Sequence, residues 1–102
     1  MMKYKVIFSS KAEKQLLKFD QYTQRRIYKW IKENLEDCEN PRMYGKALVN
    51  DELGQWRYRV GDYRILAKID DSAITILVMR IAHRREVYRV CEEENMYGRK
   101  EG

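Results

Sequence analysis

One proline, one histidine, two cysteines and five glycines are all that 102 residues contain of these types. The scarce proline and glycine fit a chain with no low-complexity segment and no internal repeat. Cys38 and Cys91 are too few for a disulfide framework and lack metal-ligand spacing, which points to a reducing compartment. His83 stands alone, and the carboxylates are scattered without ligand spacing, so neither a metal nor a cofactor is expected. No apolar run approaches the roughly 18–20 residues that cross a bilayer. Residues 1–14 carry no apolar region of the signal-peptide kind. The expectation is an unprocessed cytoplasmic protein with no membrane partner.

Charge is abundant: 36% of the residues are charged, with 21 basic against 16 acidic side chains and a net charge of +5. Such a balance favours an anionic partner only weakly. The distribution says more. Seven lysines lie before residue 41, mostly on what read as helix surfaces, whereas eight arginines lie between Arg42 and Arg89. Lysine suits a solvated face, and the planar fork of arginine suits phosphate. The second half of the chain is therefore the expected anion site. The length allows one domain, assigned to residues 1–90, with a polar tail over 91–102 that is frayed or disordered.

Residues 4–8 alternate as a short strand. Ser10 and Glu13 have the spacing of a capping box, so a helix is expected to begin there, with Ala12, Leu16 and Leu17 on one stripe and Phe19 beyond. Asp20 is a second N-cap candidate. The helix after it runs to about Glu36 with Ile27, Trp30, Ile31 and Leu35 at helical spacing, and Asp37 to Pro41 ends it. Residues 42–54 read as a connecting loop punctuated by Gly45 and Gly54, with Leu48 as a local anchor. Three strands follow, at about Gln55–Val60, Tyr63–Asp70 and Ala73–Ile81, joined by Gly61-Asp62 and Asp70-Asp71-Ser72; residues 82–90 leave the sheet. The layout is α+β: an N-terminal strand, a two-helix hairpin and an antiparallel three-strand meander. It makes a four-stranded sheet with the helices on one face.

The most informative stretch is Trp56-Arg-Tyr-Arg-Val-Gly-Asp-Tyr-Arg64. Strand side chains alternate between faces, so Trp56, Tyr58 and Val60 share one face while Arg57 and Arg59 share the other. A two-residue hairpin loop at Gly61-Asp62 pairs Val60 with Tyr63 and Arg59 with Arg64. Two arginines then stand opposite one another with Cβ atoms about 5 Å apart, a destabilising pair unless an anion such as phosphate sits between them. In the simplest register Leu66, Leu77 and Met79 join these arginines, and Arg80 falls on the opposite face near Tyr63; a bulge would reverse Arg80. Trp30, Trp56 and Tyr58 read as core aromatics.

The order of elements, the Trp56–Arg64 motif and the later Arg80-Ile-Ala-His-Arg-Arg-Glu-Val-Tyr-Arg89 resemble the RelE/ParE superfamily of type II toxins, over about residues 3–90. The resemblance implies a toxin neutralised by a cognate RelB-like antitoxin that wraps it, with operator DNA reached only through the antitoxin. RelE-like members cut mRNA in the ribosomal A site, and ParE-like members poison DNA gyrase. Carried over by position, Arg57, Arg59 and Arg64 fall on the family's basic strand positions, and Tyr88 matches the tyrosine that stacks on a nucleobase. The spacing before Tyr88 is about two residues shorter than in the best-known RelE toxin, so either His83 or Arg84 takes the place of the arginine after the last strand. Arg85 and Arg89 are candidates to grip ribosomal RNA, and Lys46 to touch phosphate. The leading expectation is a metal-independent mRNA interferase with Arg57, Arg59, Arg64, His83, Arg84 and Tyr88 as catalytic residues. The alternatives are a ParE-like gyrase inhibitor and a non-catalytic RNA- or ribosome-binding module of the same fold.

Overall fold

A single serine fixes where the first helix begins. The computed structural model describes residues 3–47 and 55–85. In it β1 (Lys5–Phe8) runs into Ser9, whose extended backbone (φ −69°, ψ 160°) places its Oγ to accept from the Ala12 N–H at 3.1 Å. This N-cap starts α1 (Ser10–Leu17). The cap is thus Ser9 rather than Ser10, and Glu13 contributes as a carboxylate in the positively polarised first turn. Ala12 and Leu16 are buried as their spacing requires, but Leu17 lies 71% exposed, because the helix ends there and only one side of it meets the sheet.

Asp20 caps α2 (Gln21–Asn34) without a side-chain bond to the helix N–H groups, and the Thr23 hydroxyl beside it holds its carboxyl below the ordinary range. Ile27 and Ile31, with Leu35 just beyond the helix, form the buried stripe. After it Asp37 takes a left-handed conformation (φ 62°), which aspartate tolerates better than most residues. That turn lets the Asp37 N–H donate to the Tyr4 carbonyl at 2.8 Å, and the Tyr4 N–H donate to the Cys38 carbonyl at 2.9 Å. The end of α2 is thereby tied to the start of β1.

The remaining strands are β2 (Lys46–Ala47), β3 (Gln55–Val60), β4 (Tyr63–Asp70) and β5 (Thr75–His83). They form a five-stranded sheet in the order β1-β5-β4-β3-β2, with β1 parallel to β5 and the other pairs antiparallel. The alternation in the sequence gives β3 and β4 their bounds directly. Two features differ from the expectation. The loop contributes a two-residue strand, β2, on the outer edge of β3, so the sheet has five strands rather than four. The last strand is shifted along the chain, so Ala82 and His83 stay in the sheet instead of leaving it. The loop positions Leu48 and Gly54 and the tail lie outside the described residues.

Both helices pack on one face of the sheet. Leu16, Ile27, Ile31 and Leu35 meet Tyr58, Val60, Ile65, Ala67, Ile69, Ile76, Val78 and Ile81 in one cluster. At the hairpin tip Gly61 has φ +59° while Asp62 is not among the positive-φ residues, the pattern of a type II′ turn that matches the twist of the strands. A Cβ on Gly61 would lie 2.8 Å from the Arg26 guanidinium, so α2 covers the turn closely.

Candidate functional site

The face of the sheet away from the helices is built by strand pairing. Arg57 pairs with Leu66 on one side and Lys46 on the other, and Arg59 pairs with Arg64. Paired residues project to the same face, so Lys46, Arg57, Arg59 and Arg64 stand together. The opposition of Arg59 and Arg64 is the one read from the hairpin.

A bulge adds Arg80 to this group. Leu66 pairs with Arg80 but the next residue, Ala67, pairs with Val78, so Met79 is an extra residue in β5. Two β5 residues against one on β4 reverse the facing of all that follows. Arg80 therefore joins Arg57 and Leu66 on the cationic face and Ile81 turns into the core, the reverse of the simplest register. The bulge is held from α1: the Ser9 Oγ donates to the Met79 carbonyl at 3.0 Å, and the Gln15 Oε1 accepts from the Ile81 N–H at 2.8 Å.

The same shift places His83 opposite Tyr63 and on the helix-covered face. Its ring meets Tyr63 edge-on at 5.4 Å between centroids, and Tyr63 in turn packs on Phe19 at 4.9 Å. The structure does not bring His83 to the arginines. Arg84 follows on exposed backbone whose N–H donates to the Asp62 carbonyl at 2.7 Å, which docks it at the hairpin tip beside Arg64. Arg85 is exposed next to it, its N–H near the His83 Nδ1 at 3.3 Å. Tyr88 and Arg89 lie outside the described residues.

A cleft of about 640 Å³ opens at the β3 edge of this face, lined by Trp30, Tyr44, Gly45, Lys46, Arg57, Tyr58, Arg59 and Arg64. Gly45 makes it possible. Its φ is +76°, and a Cβ there would lie 2.3 Å from the Arg57 carbonyl, so only glycine lets the loop run this close to β3. Tyr44 and Lys46 are thereby set on either side of the approach. The loop is pinned by the Trp56 Nε1, which donates to the Tyr44 carbonyl at 2.6 Å, and by the Tyr58 hydroxyl, which donates to the Pro41 carbonyl. Burial pushes the Tyr58 phenol well above its ordinary range, so this hydroxyl stays protonated as a donor. Sequence reasoning missed the aromatic part of this cleft. Trp30 read as plain core, and Tyr44 gave no periodic signal; its neighbour Gly45 was the available hint.

Not every arginine of the second half belongs here. Arg42 grips Asp71 through two bonds, of 3.0 and 2.9 Å, and the Tyr4 hydroxyl donates to the same carboxylate at 2.6 Å. The Arg42 guanidinium, and after it the Tyr4 hydroxyl, hold the Asp71 carboxyl below the usual carboxylate range. This is a structural clasp between the loop after α2 and the β4–β5 turn.

The chain has relatives among known proteins. The family model described as ParE toxin of type II toxin-antitoxin system, parDE, matches residues 6–88. Toxin RelG of Mycobacterium tuberculosis is 31% identical over 88 residues, spanning 86% of this chain and 99% of that protein. Among solved structures, the RelBE2 toxin–antitoxin complex of M. tuberculosis contains a chain that superposes with a TM-score of 0.71 at 28% identity, over 79% of this chain and 98% of the other. The isolated E. coli RelE toxin shares the fold alone, with a TM-score of 0.65 at 21% identity over 89% of this chain and 97% of that one. The chain is a toxin of the ParE family, within the RelE/ParE superfamily of type II toxin–antitoxin systems.

Proposed function

We propose that this toxin is a ribosome-dependent endoribonuclease that cuts mRNA and so inhibits translation. The observation that supports it most is the gathering of Lys46, Arg57, Arg59, Arg64 and Arg80 on one sheet face beside a nucleotide-sized cleft. Cleavage proceeds by attack of the substrate's own 2′-oxygen on the adjacent phosphorus. The P–O5′ bond breaks, leaving a 2′,3′-cyclic phosphate and a 5′-hydroxyl, and the step needs neither water nor a metal. Negative charge grows on the phosphoryl oxygens in the transition state. Fixed cations aimed at that charge are often the largest single catalytic contribution, and a paired sheet holds them more firmly than a loop.

Arg57, Arg59 and Arg64 stabilise the phosphoryl oxygens, with Arg80 behind them. His83 faces away, so Arg84 is the better occupant of the place after the last strand. Proton transfer then falls to Tyr88, which takes the 2′-proton and returns a proton to the departing 5′-oxygen. Lys46, Arg85 and Arg89 hold flanking phosphates of mRNA or ribosomal RNA. In the cell a RelB-like antitoxin, disordered until it binds, covers the toxin in the cytoplasm and carries any contact with operator DNA.

A second reading, a poison of DNA gyrase, draws on the match to the ParE model and on the position of His83. One experiment separates the readings. The toxin is induced in cells, mRNA 5′ ends are mapped at translated codons, and gyrase supercoiling is assayed in parallel. Codon-phased cuts that vanish in Arg64→Ala are the expected result. Intact mRNA with blocked supercoiling identifies the gyrase poison, and intact mRNA on stalled ribosomes identifies a binding module without cleavage.

A further inference from the structure

The cationic cleft has a wall that phosphate chemistry does not use. Tyr44 and Trp30 meet edge to face, with centroids 6.0 Å apart and planes at 71°. Two rings at that angle form an L-shaped corner. Trp30 is backed by Tyr58, at 5.7 Å between centroids, and so cannot retreat into the core. Tyr44 is 40% exposed, held at the rim because its carbonyl is bonded to Trp56 and because Gly45 turns the backbone there. The corner shares one cleft with Lys46, Arg57, Arg59 and Arg64. A volume of about 640 Å³ is ample for a nucleotide.

An exposed aromatic corner beside a row of guanidinium groups fits one ligand chemistry closely: a flat, π-faced group covalently attached to a phosphate. Aromatic side chains of single-strand binders stack bases in this way, with little regard to sequence, because every base has a π-face. We infer that Tyr44, backed by Trp30, forms a base-stacking subsite for single-stranded RNA, next to the phosphate held by Arg57, Arg59 and Arg64. The inference rests on the ribonuclease reading and deepens it. It gives the loop before β3 a role in holding the substrate, and it adds a contact that tolerates any base.

The test uses the purified toxin and two fluorescent probes: a single-stranded hexaribonucleotide, and a ribose-phosphate backbone of equal length without bases. Anisotropy titrations compare the wild type with Tyr44→Ala, Tyr44→Phe, Tyr44→Leu and Arg59→Ala. Tyr44→Ala is expected to weaken the base-bearing probe about tenfold and leave the base-free probe unchanged. Tyr44→Phe keeps the wild-type affinity. Tyr44→Leu, which fills the loop without a ring face, behaves like Tyr44→Ala; it keeps the test decisive if alanine loosens the loop. Arg59→Ala weakens both probes alike. Equal loss on both probes in the Tyr44 variants, or no loss on either, overturns the stacking subsite while the RNA reading stands. Arg59→Ala without effect on either probe, or a wild type that binds neither, overturns the RNA reading and the subsite with it.

Discussion

The two faces of this sheet are made by the same strands, residue by residue in alternation, and they obey different rules. On the helix-covered face Tyr58, Ile65, Ile76 and Ile81 are fully buried, and every position is decided by fit. On the other face Arg57, Arg59, Arg64 and Arg80 stand within one or two strand spacings of each other, where like charges face one another instead of packing. Under the proposed function, alternation, with one bulge to turn Arg80, separates holding the fold from doing the chemistry. Substitutions on one face should therefore leave the other's property nearly untouched.

The largest effect should come from the packed face. Ile27→Ala removes a wholly buried side chain and is expected to lower unfolding free energy by about 2–5 kcal/mol. Urea titration measures this, and Arg57→Ala as the control should shift stability by no more than about 0.5 kcal/mol. Next comes the cationic face. Arg64→Ala should slow mRNA cleavage about 10²–10³-fold in a ribosome-based assay, in line with loss of one transition-state donor, with a urea midpoint close to wild type. A comparable loss of stability would mean that the two faces are not separable. Binding to single-stranded RNA sharpens the same point: three neutralised phosphates give a log–log salt slope of about −2, and an affinity indifferent to salt would remove the arginine face as the contact surface.

Smaller effects test the join between the faces. Ser9→Ala deletes both an N-cap and the hydroxyl that holds the Met79 carbonyl, and should cost about 1–2 kcal/mol. A thermal melt checks this, and because the bulge sets the side on which Arg80 emerges, cleavage should fall as well. The smallest effect concerns pH. Asp71 has its folded pKa depressed below the ordinary 3.8, so the stability it contributes is present above that value and lost as pH falls through the lower folded one. Asp71→Asn should leave a shallower decline of the urea midpoint below about pH 4. An unchanged slope would place the acid sensitivity on Asp20, Asp37 and Asp70, whose carboxyls are also held low.

Much of this architecture is legible in the amino-acid order. The bounds of β3 and β4 and the pairing of Arg59 with Arg64 follow from strict alternation around Gly61-Asp62, because period-two patterning and a two-residue turn together leave one register. The rest was not legible for identifiable reasons. β2 is two residues long, too short to carry a period. The bulge at Met79 has no glycine to announce it and is held by Ser9 and Gln15, more than sixty residues away in sequence. Tyr44 owes its place in the cleft to a close approach between loop and strand that only the folded chain reveals.

The bulge carries one consequence of a different kind. It works as a parity switch within a single strand: upstream of Met79 the chain is read in one phase, downstream in the other. Straightening the strand with Met79 kept would exchange the sides of Arg80 and Ile81, whereas deleting Met79 would leave both where they are, because Arg80 would then follow Val78 in plain alternation. How one surplus strand residue is accommodated, as a bulge or in register, therefore decides the charge map of this face as thoroughly as several substitutions would.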